Sequence, residues 1–249
     1  MIVLRSQREI EKIRKACLIV AEILERLREH VQPGITTWDL NELSEELAAK
    51  QKASPAFKGY HGYPFALCTS INEEVVHGMP SKHRQLREAD IISIDFGVLV
   101  DGYYGDAAIT VPVGKISEEA KELCRVTEDA LYEGIRRIHP RNRLSDISHA
   151  IQQYVEAHGY SVVREFVGHG IGQQLHESPQ IPNYGPAGKG VILKPGMVFA
   201  IEPMINQGCA EVEILSDRWT AVTVDRKLSA HFEHTVAVTA NEPDILTKR

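Results

Sequence analysis

The sequence predicts an α+β fold made of two related halves, with helices packed outside a strand-rich interior. Three observations carry that expectation. Apolar residues recur at helical spacing on both sides of a set of short strand-like runs. Four of those runs, IISIDFG, YYGDAAI, FAIEPM and HFEHTVAV, each hold one carboxylate within an apolar stretch. An offset of 107 residues aligns Pro33 with Pro140, Asp39 with Asp146, Leu40 with Ile147, and Ile94-Asp95 with Ile201-Glu202. With a longer loop allowed in the second half, GDAAITV aligns with FEHTVAV and Asp106 with Glu233. Self-similarity at a fixed offset marks a duplicated unit. Here the repeats are roughly residues 5–110 and 115–240 of a single domain spanning 1–249.

The elements follow in order. Ser6-x-x-Glu9 is a capping box that opens a helix. Ile10, Ile13, Cys17, Val20, Leu24, Leu27 and Val31 step by three and four along one face, and Pro33-Gly34 is expected to end it. Leu40, Leu43 and Leu47 mark a second, shorter helix. A third is expected over about 117–138, and a fourth over about 145–158, where Gly159 can cap it. Between the second and third lies ISIDFGVLVDGYYGDAAITV, which reads as a hairpin turning at Asp101-Gly102. In that register Val100 faces Tyr103 and Asp95 faces Ala108, so Asp95 and Asp106 share one face as diagonal neighbours. Two carboxylates that close repel each other unless a cation lies between them. The Pro- and Gly-rich stretch from Glu177 to Gly196 is expected to be a loop at the rim of a site. By alternation, His231 and His234 are expected to point away from the face of Glu233 and to be structural.

Composition narrows the function. The 249 residues are 43% hydrophobic, enough for a sizeable core. A net charge of −6 leaves no global electrostatic footprint for nucleic acid or an anionic membrane. The four cysteines, Cys17, Cys68, Cys124 and Cys209, form no CxxC pair and no disulfide framework. The charged N-terminus lacks a signal-peptide core, and no apolar run reaches membrane-spanning length. A reducing, cytoplasmic setting fits.

Asp95, Asp106, His169, Glu202 and Glu233 read together as one metal site. Four carboxylates and one imidazole, with no thiolate, suit a pair of divalent first-row ions better than a structural zinc. The four carboxylates carry about −4, and two divalent ions about +4.

At these motifs the chain resembles the type I methionine aminopeptidases. The resemblance is carried by YHGYPFALCTSINEEVVHGMP, DIISIDFGVLVDGYYGDA, FVGHGIGQQLHESPQIPNYG, LKPGMVFAIEPM and LSAHFEHTVAVT. It implies the duplicated pita-bread fold, a central curved antiparallel sheet with helices on its outer face about a pseudo-two-fold axis. It implies one metal on Asp106, His169, Glu202 and Glu233, and a second on Asp95, Asp106 and Glu233. Asp106 and Glu233 would bridge the two. The substrate amine would sit on the Asp95 side, and Glu202 would act as acid and base. His176 would donate to the developing oxyanion, and His77 would contact the scissile nitrogen or the next residue. His61 is a weaker candidate. Tyr60, Tyr63, Cys68 and Trp219 would form the methionine pocket, with His77 at its edge. Asn72 and Ser229 match residues beside a monovalent-cation site. The chain departs from some relatives at Phe57, Leu175 and Ala107-Ala108, which bears on pocket shape.

The implied activity is removal of the initiator methionine from nascent chains and peptides with a small second residue. Co, Mn, Fe and Zn are all compatible with the ligand set. The resemblance also implies a monomer and transient association with the ribosome. Type I is indicated because no long insertion interrupts the second half, and the short bacterial form because no zinc-finger extension precedes it. Two alternatives stay open. A proline-specific dipeptidase or aminopeptidase would share all five ligands, but usually carries a further N-terminal domain. A non-catalytic binding module of the same fold would typically have lost ligands.

Overall fold

The capping box at Ser6 and Glu9 is formed, and it starts helix α1 over Gln7–His30. The computed structural model describes residues 2–248. Helix α1 ends with Val31 as its cap, so Pro33 and Gly34 lie in the turn beyond the helix rather than at its end. A second capping box, Thr36 with Asp39, opens α2 over Thr37–Lys50. Strands β1 (Ser54–Pro55), β2 (Cys68–Ile71), β3 (Glu74–Val76), β4 (Ile91–Val100) and β5 (Tyr103–Pro112) complete the first half. Helix α3 covers Glu118–Ile135, with Ser117 as N-cap, and α4 covers Leu144–Ala157. The apolar pattern of α3 runs on to Ile138, but the chain leaves the helix at Arg136 and makes two tight turns, closed by Arg137 on Gly134 and Ile138 on Ile135. The strands of the second half are β6 (Ser161–Val162), β7 (Gly168–Gly170), β8 (Glu177–Ile181), β9 (Val198–Ile201) and β10 (Met204–Asn206). They are followed by β11 (Val212–Ile214), β12 (Ala221–Thr223), β13 (Ser229–His231), β14 (His234–Ala237) and β15 (Asp244–Ile245).

The β4–β5 hairpin has the expected register: Val100 pairs with Tyr103 and Asp95 with Ala108. Asp101 and Gly102 both have positive φ, 51° and 80°, as a two-residue turn matched to the sheet twist requires. Strand β2 pairs with the other edge of β4 and sets Cys68 opposite Asp95. In the second half the order is β15-β14-β9-β7-β8. Strand β8 occupies the start of the stretch expected to be all loop. It adds to β7, with Gly168 opposite Ile181, so only the part from about residue 182 onward is irregular.

The alignment of the two halves implies Thr235 opposite Glu202, as Ala108 is opposite Asp95. The ladder instead pairs Ile201 with His234, a register two residues away. A shift of two keeps every side chain on its own face. Pro203, which has no N–H for a ladder, follows Glu202 directly. The halves join where Glu233 leaves β14: its N–H donates to the Ala108 carbonyl at 2.9 Å, and the Thr235 hydroxyl donates to the Asp106 carbonyl at 2.7 Å.

Two apolar cores flank this seam. One packs Val20, Ile23, Leu24 and Leu27 of α1 against Ile92, Ile94 and Phe96 of β4. The other packs Leu123 and Leu131 of α3 and Ile147 and Ile151 of α4 against Phe199 and Ile201. Helix α1 lies so close to β5 that a Cβ on Gly105 would sit 2.5 Å from the Cys17 backbone nitrogen. Gly105→Ala should therefore force helix and sheet apart and cost about 1–3 kcal/mol of stability, as overpacked cores do. Urea denaturation that shows no shift in midpoint would contradict this packing account.

Candidate active site

Strand geometry brings the predicted ligands to one point. Asp95 and Asp106 stand on the same face of the hairpin, since Asp106 pairs with Gly97, two positions from Asp95. His169 comes from β7, Glu202 follows β9, and Glu233 precedes β14. Ligand atoms of Asp106, His169 and Glu233 all lie within 4.8 Å of one another, and all three residues are buried. His169 Nε2 is 3.4 Å from Glu202 Oε1. Its Nδ1 is 3.0 Å from the Gly170 carbonyl, which fixes the proton there and leaves the Nε2 lone pair facing the carboxylates. Close backbone approach makes this possible: a Cβ on Gly168 would sit 2.5 Å from the Ala200 carbonyl oxygen, and one on Gly170 2.5 Å from that of Ser178.

The donor set fits divalent cations. Asp95 Oδ1, Asp106 Oδ1 and Glu233 Oε1 are buried and have no hydrogen-bond partner. Orphaned acceptors that face each other are costly unless a cation or proton joins them. Burial pushes the Asp95 carboxyl up to about 7. Burial, and then the charge of Asp95, raises Asp106 well above the carboxylate range. Glu202 and Glu233 are raised in the same way, by burial first and by neighbouring carboxylates second.

A cavity of about 520 Å³ opens over this cluster. Its wall includes all five predicted ligands together with His77, His176, Tyr60, Tyr63, Cys68 and Trp219. The positions where the sequence departs from some relatives, Phe57 and Leu175, are also on the wall. Tyr63 and Trp219 meet edge to face with ring centroids 5.0 Å apart. The Tyr63 hydroxyl lies 3.0 Å from the Leu67 carbonyl and 3.1 Å from that of Gly78, which anchors the ring. Burial raises the Cys68 thiol well above its usual range, so it stays protonated and apolar. The Tyr60 hydroxyl is 2.8 Å from His176 Nδ1. Burial lowers His77 to about 4, and burial followed by His61 lowers His176, so both rings favour the neutral form.

Asn72 and Ser229 are brought together, but away from this cavity. The Ser229 N–H donates to the Asn72 carbonyl at 2.8 Å. Their side chains bond elsewhere, Asn72 to Asp90 and Ser229 to Asn206. His234 contacts Tyr132 and Thr247, in line with a structural role. His231 does not follow the expectation. Residues two apart share a strand face, and His231 Nε2 lies 3.9 Å from Glu202 Oε2.

Arg5 had no local sequence signal. Its guanidinium donates to both carboxylate oxygens of Glu177 at 2.5 Å. Glu177 also accepts from the Gln173 and Gln174 N–H groups, at 2.8 and 3.0 Å. The turn that carries His176 is thus tied to the N-terminal segment. Gly172 leaves room for the clamp, since a Cβ there would lie 2.4 Å from the guanidinium.

A strand-borne carboxylate and imidazole cluster at the floor of an apolar cavity defines a metal-dependent hydrolase of the pita-bread fold. Residues 11–240 match metallopeptidase family M24. Methionine aminopeptidase 1 of Bacillus subtilis is 54% identical over 248 residues, covering 100% of both chains. The Escherichia coli K12 methionine aminopeptidase is 45% identical, covering 99% of this chain and 94% of that one. Among solved structures, the Thermotoga maritima methionine aminopeptidase superposes with a TM-score of 0.99 at 51% identity over 100% of both chains. The Pyrococcus horikoshii prolidase shares the fold alone, with a TM-score of 0.80 at 23% identity over 99% of this chain and 63% of that one. The chain belongs to metallopeptidase family M24, and within it to the type I methionine aminopeptidases.

The raised carboxyls make the metal-free protein pH-sensitive. A carboxyl whose folded value is raised stabilises the fold below its unfolded value and loses that contribution as pH rises. The buried histidines act oppositely, but their unfolded value is about 6.5, so by about pH 7.5 they are mostly neutral in both states and drop out. Between about pH 7.5 and 8.5 the chelated protein should lose thermal stability as pH rises, and divalent metal should flatten the slope. A melting series with and without chelator that gives the same slope would contradict the burial of these carboxylates.

Proposed function

We propose that the chain removes the N-terminal methionine from nascent proteins and peptides with a small second residue, using the cavity above the carboxylate cluster. The observation that carries this reading is the junction of an apolar slot with a cluster able to hold divalent cations. Asp95, Asp106, His169, Glu202 and Glu233 would hold two such ions, drawn from Co, Mn, Fe or Zn, with Asp106 and Glu233 shared. Bound there, the ions supply Lewis acidity that polarises a scissile carbonyl and activates water.

The chain's own groups do the rest. Tyr63, Cys68 and Trp219 offer a slot without charge that suits an unbranched thioether. Carboxylates on the Asp95 side attract the free ammonium terminus and orient it. The Tyr60 hydroxyl, held protonated by burial, donates to His176 Nδ1. That leaves the His176 Nε2–H free to donate to charge that develops on the carbonyl oxygen. His77, neutral at the cavity wall, is placed to contact the scissile nitrogen or the next residue. Glu202 takes a proton and hands it to the leaving amine.

Among the described residues no helix is long and apolar enough to cross a membrane. A cytoplasmic monomer that meets nascent chains, with transient ribosome contact and no nucleic-acid-specific site, is the setting we propose. The chain would act as one domain of two related halves. Asn72 and Ser229 are kept as the proposed position of a monovalent cation, supported by the backbone bond between them.

Four outcomes are expected. The metal-loaded protein should cleave Met-Ala-Ser far faster than Leu-Ala-Ser, and should leave acetyl-Met-Ala-Ser and Ala-Pro-Ser intact. Preference for Ala-Pro-Ser in a release assay would place the chain with the proline-specific enzymes instead. Asp106→Asn should abolish both turnover and most metal binding, checked by metal analysis of the purified variant. His176→Ala should lower kcat by about 10²–10³ with little change in KM. Tyr60→Phe, which only frees Nδ1, should lower it about tenfold. A variant of either residue whose KM alone rises would move that residue into ground-state binding.

A further inference from the structure

His231 combines a rigid backbone with an unpartnered ring. The residue is 1% exposed, and neither ring nitrogen has a hydrogen-bond partner. A buried N–H without an acceptor is costly, so a native protein keeps one only where a partner comes within reach. The backbone of the same residue is fully engaged. The Thr110 hydroxyl donates to the His231 carbonyl at 2.8 Å and accepts from its N–H at 2.9 Å. That uses the one proton of Thr110, so the Ser93 hydroxyl, 2.9 Å away, donates to Thr110 in turn. Ser93 and Thr110 face each other in the β4–β5 hairpin. A hydroxyl pair in the first half therefore sets where a histidine of the second half can stand.

The ring so placed stands by Glu202. Its Nε2 is 3.9 Å from Glu202 Oε2, while Oε1 faces His169 Nε2 at 3.4 Å. From a third side, the Asn183 side-chain amide donates to the Glu202 carbonyl at 3.1 Å. His231 is not on the cavity wall, so it meets Glu202 from behind and not across the substrate space. A charge-assisted N–H···O⁻ bond spans about 2.7–2.9 Å. The 3.9 Å separation exceeds that span by about 1 Å, so the bond needs a small turn of the Glu202 carboxylate toward the ring.

We infer that His231 is a positioning residue for Glu202. Its Nε2–H donates to Oε2, holds the plane of the carboxylate, and keeps Oε1 turned to the reaction side. This rests on the role of Glu202 proposed above. It adds a residue outside the ligand set and outside the cavity.

The experiment compares wild type with His231→Gln, His231→Asn and His231→Leu, all metal-loaded. It reads kcat and KM on Met-Ala-Ser, bound metal and melting temperature. A glutamine amide places its N–H where imidazole Nε2 stands, and an asparagine amide places it near Nδ1. His231→Gln should keep kcat within about threefold of wild type, whereas Asn and Leu should lose about tenfold or more. KM and metal content should be unchanged in all three. The Gln and Asn pair settles the matter even if the Leu variant is unstable, because both are polar and close in size. Equal kcat for Gln and Asn, or a kcat loss that tracks lost metal, would overturn the inference while leaving the enzyme reading intact. Wild type that leaves Met-Ala-Ser whole would overturn both.

Discussion

Four carboxylates gathered in one interior seam are the constraint from which the rest of the structure follows. Buried carboxylates elsewhere are usually matched by arginine or lysine. Here the cavity wall, among the described residues, contains neither. Arg5, which meets Glu177 of the wall, is committed to that ion pair. The negative charge must then be met by protons or by added cations. Burial drives the metal-free protein to the first answer, seen in the raised values of all four groups. Divalent ions are the second answer, and they would restore the ionised form that the proton-accepting role proposed for Glu202 needs.

Groups that repel each other stay close only if the backbone around them is held by something else. The seam supplies this with neutral hydrogen bonds that cross between the halves: Glu233 N–H to Ala108, Thr235 to Asp106, and Thr110 to both backbone groups of His231. Each is buried or lies in a ladder, and none adds charge. The two apolar cores on either side then fix the strands that carry these bonds. Glycines at 168 and 170 let β7 approach its neighbours closely enough to deliver His169.

The same burial that raises the carboxyls lowers the histidines, and the two shifts are complementary in function. His77 and His176 stay neutral, so they can donate hydrogen bonds without adding positive charge that would compete with a metal or a substrate ammonium. The Tyr60 hydroxyl, 2.8 Å from His176 Nδ1, fixes how the His176 ring is turned. Tyr63, Cys68 and Trp219 give the cavity an apolar wall, while the carboxylates give it a polar floor. A pocket with this division recognises an apolar side chain and a charged terminus at once.

Much of this was legible in the chain. Asp-Gly at 101–102 between alternating apolar runs dictates a two-residue hairpin, and period two then places Asp95 and Asp106 on one face. The capping box at Ser6 and the apolar stripe of α1 are equally local, because helix caps and faces depend on residues within one or two turns. The members of the buried cluster could be picked out as carboxylates set in apolar strands. What the sequence could not decide was contact between distant segments. Arg5 meets Glu177 across 172 residues, and no local pattern marks either as a partner. The register of β9 on β14 differs by two from that implied by the repeat, and the end of the α3 pattern and the start of the loop after His176 also depend on what packs there. His231 is the sharpest case. Alternation from Glu233 would have given its face, but only the assembled seam shows that Glu202, 29 residues earlier, stands in front of its ring. Short-range periodicity sets which face a residue occupies; which group waits opposite that face is decided by tertiary packing.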